Sequence, residues 1–104
     1  MLLIKPGVKL TDLCTQMLLG TFIVSGVYAS YGFNCTLTSV NDGKHKDGSA
    51  HYKGKAADFR TKDFTAVKAD LVAKLKIALG ENFDVIFEYE GTDNEHIHVE
   101  YDPK

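Results

Sequence analysis

Tryptophan is absent from this 104-residue chain, proline and cysteine occur only twice each, and a single arginine, Arg60, stands beside eleven lysines. Each scarcity argues against a class of function. With one arginine, bidentate readout of phosphates or base edges has almost nothing to work with. A net charge of −2 gives no electrostatic case for nucleic acid as a partner. Cys14 and Cys35 lie far apart and form no CxxC pair, which argues against a cysteine-based structural zinc site. Buried free thiols are the plain expectation, since a disulfide would need an oxidising compartment and suitable geometry. Repeats, low-complexity segments and linkers are also missing, and one domain is expected at this length. A domain so small buries only roughly 60–70% of the surface its unfolded chain exposes. A bound metal would therefore contribute to folding as well as to chemistry.

Charge is missing locally as well. No charged residue occurs from Leu13 to Asn41, and Met17 to Tyr31 is mostly apolar. Gln16, Gly20, Thr21, Ser25 and Gly26 interrupt the run and make it a poor membrane span. Lys5 and Lys9 ahead of it, and Val27-Tyr28-Ala29 within it, have the look of a leader and its cleavage site. Cleavage there would remove the largest apolar helix available to cover a sheet. A buried core helix in a soluble protein is the expectation, with no membrane partner and nothing that demands more than a monomer.

Around that run the pattern alternates between two periods. Pro6-Gly7 marks a turn after Leu2-Leu3-Ile4, Thr11 or Asp12 can cap a helix running to about Tyr31, and Gly32 stops it. Cys35 to Val40 reads as a strand, Asn41 to Lys53 as a polar surface loop, and Ala56 to Arg60 as a short strand. Asp63 is a plausible N-cap for a helix in which Phe64, Val67, Leu71, Leu75 and Leu79 recur at helical spacing, with Gly80 as its stop. Phe83 to Tyr89 and His96 to Tyr101 read as strands joined through Gly91-Thr92-Asp93-Asn94, a hairpin. The order helix, strand, strand, helix, strand, strand favours an α+β domain with a small, mainly antiparallel sheet and two main helices.

What the chain does have is concentrated. All four histidines fall in two short clusters: His45 and His51 in one, His96 and His98 in the other. The first cluster also carries Asp58, and the second Glu95 and Glu100. Imidazoles and carboxylates gathered in this way suit a zinc ion with three protein ligands and one open position, so metal-assisted hydrolysis is the leading expectation. On the last strand His96, His98 and Glu100 share one face, and Ile97, Val99 and Tyr101 the other. Glu95 has the wrong parity for the histidine face and can reach it only from the loop before the strand. Gly54, between His51 and Asp58, permits a tight turn that folds the first cluster back on itself.

The run Ser-x-His-x-x-Gly-x-Ala-x-Asp at 49–58, followed by Glu-His-x-His at 95–98, resembles the zinc peptidases of the D-Ala-D-Ala carboxypeptidase and endolysin family. Their wider group includes lysostaphin-type enzymes and the hedgehog signalling domain, so a hedgehog/DD-peptidase-like fold is implied. The resemblance covers roughly Thr36 to Tyr101. It implies that His51, Asp58 and His98 bind Zn2+, that Glu95 is the general base, and that His96 lies close to the metal and assists the oxyanion. Ser49 would steady the loop. Many relatives carry a substrate-binding arginine soon after the first strand; this chain has Lys44 and His45 there, and His45 is the candidate to replace it.

The function so implied is hydrolysis of peptidoglycan stem peptides by a compact, endolysin-like enzyme. It would be made in a host or bacterial cytoplasm and act on the cell wall. Zinc lowers the pKa of water from about 15.7 toward 7, and Glu95 would take the proton and return it to the leaving amine. Glu100 is a candidate partner that orients a histidine. The competing expectation is a zinc-binding module without turnover, or a phage structural component. Such a module needs the ligands but not Glu95.

Overall fold

The computed structural model describes residues 1–40 and 54–104. Three-residue strand β1 (Leu2–Ile4) is followed by a 3-10 turn at Leu10–Asp12, helix α1 (Thr15–Ser30) and strand β2 (Cys35–Ser39). Beyond Gly54 come β3 (Ala56–Arg60), α2 (Lys68–Leu79), β4 (Phe83–Glu88) and β5 (His96–Tyr101). The strands form one sheet in the order β1-β2-β3-β5-β4. β1 and β2 run parallel, and every other neighbouring pair is antiparallel. This is the expected α+β architecture, extended by an edge strand. Three residues of β1 are too short to show a period, so that strand was not legible in the sequence.

Strand parity decides which sheet face the helices cover. Cys35, Leu37, Ala57, Phe59, Val85, Ile97 and Val99 form the apolar side and are buried. Onto them α1 turns Met17, Thr21, Val24 and Tyr28, spaced as one helix face requires, and α2 turns Leu71, Leu75 and Leu79. Each large apolar side chain among them, taken from water, contributes about 1.5–3 kcal/mol. Gly20 lets α1 approach β4 closely, since a Cβ there would meet the Phe83 ring at 2.9 Å. The uncharged run is thus a core helix, although Leu19, Phe22 and Ile23 on its other side stay exposed. Among the described residues no helix is long and apolar enough to cross a membrane.

Both helices start later than their capping signals suggest. α1 begins at Thr15 rather than after Thr11 or Asp12, because Leu10–Asp12 closes its own 3-10 turn and the Cys14 N–H is taken by the Gly54 carbonyl at 2.9 Å. α2 begins at Lys68 rather than after Asp63. Phe64 leaves the helical path to sit against Tyr28, Tyr31 and Phe33, with ring centroids 5.5, 5.3 and 4.6 Å away. Its backbone N–H turns back to the Thr61 carbonyl. Burying an aromatic ring outweighs a weak cap: Asp63 makes only a 3.9 Å ion pair with Arg60. The loop expected over Asn41 to Lys53 lies outside the described residues.

Candidate functional site

The face turned away from the helices carries the chemistry. Antiparallel register places Asp58 of β3 opposite His98 of β5, with Ile86 of β4 beyond it. The next row along the same face is Arg60, His96 and Glu88, and the row on the other side is Ala56, Glu100 and Asp84. Four carboxylates, two imidazoles and the Arg60 guanidinium therefore share one face. A bulge supports it: β2 spends two residues, from Leu37 to Ser39, against one residue of β3, which brings Ser39 opposite Asp58. The Thr38 hydroxyl donates to the Asp58 carbonyl at 3.2 Å and holds that irregularity.

Contacts within the patch are short. His98 Nδ1 lies 3.0 Å from Asp58 Oδ1, and its Nε2 lies 3.2 Å from Glu100 Oε1. The Asp58 contact, joined by Glu100, outweighs burial and raises the His98 pKa to about 9. His96 donates from Nδ1 to the Asn94 carbonyl at 2.6 Å, which turns Nε2 toward Glu88 Oε1 at 3.1 Å and Asp58 Oδ1 at 3.8 Å. An imidazole whose Nδ1–H is held by a backbone carbonyl presents Nε2 as a ligand atom. Asp58, Glu88 and His96 can each offer a donor atom within 4.8 Å of the others, a candidate metal-binding group. Glu88 and Glu100 form ion pairs only with these imidazoles among the described residues. Such a set of oxygen and imidazole donors, rich in negative charge, fits a divalent cation.

Of the residues singled out from the sequence, the fold brings Asp58, His96 and His98 together. His45, Ser49 and His51 lie outside the described residues. Gly54 does more than allow a turn: its φ is +70°, and a Cβ would stand 2.4 Å from the Asp12 carbonyl oxygen. The glycine thus lets the chain entering β3 lie against the N-terminal end of α1. Glu88 was missed. The signal was available in hairpin register, because a connection spanning Gly91 to Asn94 sets the end of β4 against the start of β5.

Glu95 sits differently. It precedes β5, and its carboxylate accepts from Thr61 Oγ1 at 2.6 Å, Lys68 Nζ at 2.6 Å and the Gly91 N–H at 3.1 Å, not from the histidines of the patch. The side chain is only 5% exposed. Burial works to raise its pKa, but the Lys68 contact, then Thr61 and Gly91, bring it down to about 2. Glu95 thereby ties the end of β3, the β4–β5 hairpin and the first residue of α2 to one another. It also places negative charge near the positive end of that helix.

No curated protein matches the chain. Residues 12–100 do match a family model, that of the Hedgehog amino-terminal signalling domain, whose fold is that of zinc peptidase-like domains. That match spans both helices, the bulged strand and the whole Asp/Glu/His patch. The chain belongs to the Hedgehog amino-terminal signalling domain family.

Proposed function

We propose that this chain is a zinc-dependent peptidase that hydrolyses peptidoglycan stem peptides. The observation that supports it is the meeting of the two motif segments. Asp58, which ends the first, and His98, which ends the second, are cross-strand partners in contact at 3.0 Å. His51 of the first motif would complete the three protein ligands. When bound, zinc supplies Lewis acidity toward the scissile carbonyl and lowers the pKa of water.

The remaining work falls to the chain's own groups. Asp58 is fixed on the strand between β2 and β5, and Glu100 orients the His98 ring from the far nitrogen. His96 stands beside them, close to where the carbonyl oxygen would gain charge. Glu95 would accept the proton of the attacking water and deliver it to the leaving amine, which requires it to release Lys68 first. His45 and Ser49 would meet the substrate, in an endolysin-like role at the cell wall.

A second reading, a metal-binding domain without turnover, is favoured by one observation. Glu95, the residue that a peptidase needs and a binding module does not, is engaged by three donors. Mass spectrometry of peptidoglycan fragments, after digestion with zinc-loaded protein, separates the two. The peptidase reading expects new stem-peptide termini from the wild type, none from Glu95→Gln, and zinc retained in that variant. It also expects zinc binding to be lost in His51→Ala and His98→Ala. Intact peptidoglycan with the wild type, or equal cleavage by Glu95→Gln, overturns the assigned chemistry.

A further inference from the structure

We infer that Arg60 and the cavity beside it form a subsite for a substrate carboxylate, two extended residues from the scissile bond. The inference deepens the proposed function and rests on it for the identity of the substrate, a stem peptide.

Strand register puts the arginine in place. Leu37 pairs with Phe59, so Thr36 lies beside Arg60, and Leu3 of β1 pairs with Thr36. Arg60 in turn pairs with His96. Leu3, Thr36, Arg60, His96 and Glu88 thus form one row across the five strands, on the face that carries the patch. Two residues along β3 separate Arg60 from Asp58, about 7 Å. A peptide whose scissile carbonyl stands at Asp58 and His98 covers that span with two extended residues.

A cavity of about 300 Å³ lies at the β1–β2–β3 end of this row. Leu3, Phe33 and Phe64 give it apolar walls, and Asn34, Thr36 and Arg60 bring polar groups to it. An apolar hollow with a few convergent donors is the usual form of a small-ligand site.

The guanidinium is underused where it stands. Its five N–H donors form a planar fork that matches the two oxygens of a carboxylate. Among the described residues its ion pair is with Asp63 at 3.9 Å, past hydrogen-bond distance, and the Asp63 side chain is 78% exposed. An exposed pair of that length contributes little and yields to a bidentate partner. Asp63 also lines the cavity, where its charge opposes a doubly charged ligand such as a phosphate monoester. A single carboxylate is the chemistry that fits.

Stopped-flow fluorescence anisotropy on the zinc-loaded full chain reads binding before turnover. The probes are a labelled stem tetrapeptide and versions of it amidated at one carboxylate at a time. One of the amidations should weaken binding at least about tenfold, the loss expected for a hydrogen bond to a charged group. In Arg60→Gln that difference should vanish. In Arg60→Lys, which keeps the charge without the fork, it should shrink but survive. Asp63→Asn, at an exposed position, is the second test: it should tighten the free-carboxylate peptide and leave the amidated one unchanged. Wild type that does not distinguish free from amidated peptides, or binds none of them, overturns the subsite, as does an Asp63→Asn variant with no tightening. A preference that persists in Arg60→Gln places the carboxylate elsewhere and refutes the role of Arg60. Full discrimination with peptidoglycan left intact overturns the peptidase reading alone, and cleavage without discrimination overturns the subsite alone.

Discussion

Replacing Glu95 with glutamine isolates one charge with almost no change of shape. The wild-type carboxylate accepts from Lys68, Thr61 and the Gly91 N–H. Glutamine keeps one acceptor, and the Thr61 hydroxyl can turn to accept from the new amide, so the principal loss is the charge-assisted contact to Lys68. Its size can be reached in two ways. A hydrogen bond to a charged group is worth about 1.5–3 kcal/mol. The Glu95 pKa, about 2 against an ordinary 4.5, corresponds through linkage to about 3 kcal/mol. The two agree on roughly 2–3 kcal/mol. At about 4–8 °C per kcal/mol for a domain near this size, Glu95→Gln should melt at least roughly 10 °C below wild type at pH 7. The sign of the pH effect follows from a folded-state pKa lying below the unfolded one. The stabilisation is complete above about pH 4.5 and disappears as pH falls toward 2. Thermal unfolding followed by circular dichroism should therefore show the two proteins converging in acid. A double-mutant cycle with Lys68→Met should return a coupling of about 1–2 kcal/mol. Melting within about 2 °C of wild type at pH 7, with no coupling to Lys68, would refute the account of Glu95 as the tie between hairpin and helix.

Three further outcomes can be checked. Gly54→Ala forces a side chain into left-handed backbone and against the Asp12 carbonyl at 2.4 Å. Denaturant unfolding should show a loss of about 3 kcal/mol or more, and a loss below about 1 kcal/mol would contradict the close approach. The Cys35 thiol, fully buried, has its pKa pushed up to about 12, chiefly by burial. It should resist a thiol reagent in native protein and react once denaturant is added; immediate labelling at Cys35 would contradict its burial. Zinc at about a hundred times its dissociation constant should stabilise the wild type by about 2.7 kcal/mol. Asp58→Asn should lose most of that gain in the same melting assay, and an unchanged gain would move the metal away from Asp58.

How legible all this was depended on the range of the interaction that fixed each part. Leu71, Leu75 and Leu79 ahead of Gly80 announced the core face of α2, and alternation announced β5, since both are written in local periods. The late starts of both helices were not legible. The aromatic cluster that captures Phe64 and the Gly54 carbonyl that captures the Cys14 N–H come from segments distant in sequence. Glu88 escaped notice for a related reason. It belongs to no motif, and only its register against His96 gives it a role.

By itself the sequence determined the kinds of element, the core helix in an uncharged run, and the residue types able to hold a metal. Composition, period and turn residues act over a few positions and need no partner. Only the tertiary structure decided which acids meet which imidazoles: Asp58 beside His98, Glu88 beside His96, and Glu95 with Lys68. A one-residue slip in the β3–β5 or β4–β5 pairing would send those side chains to the opposite face, so register, set by the packed core, is what assembles the site.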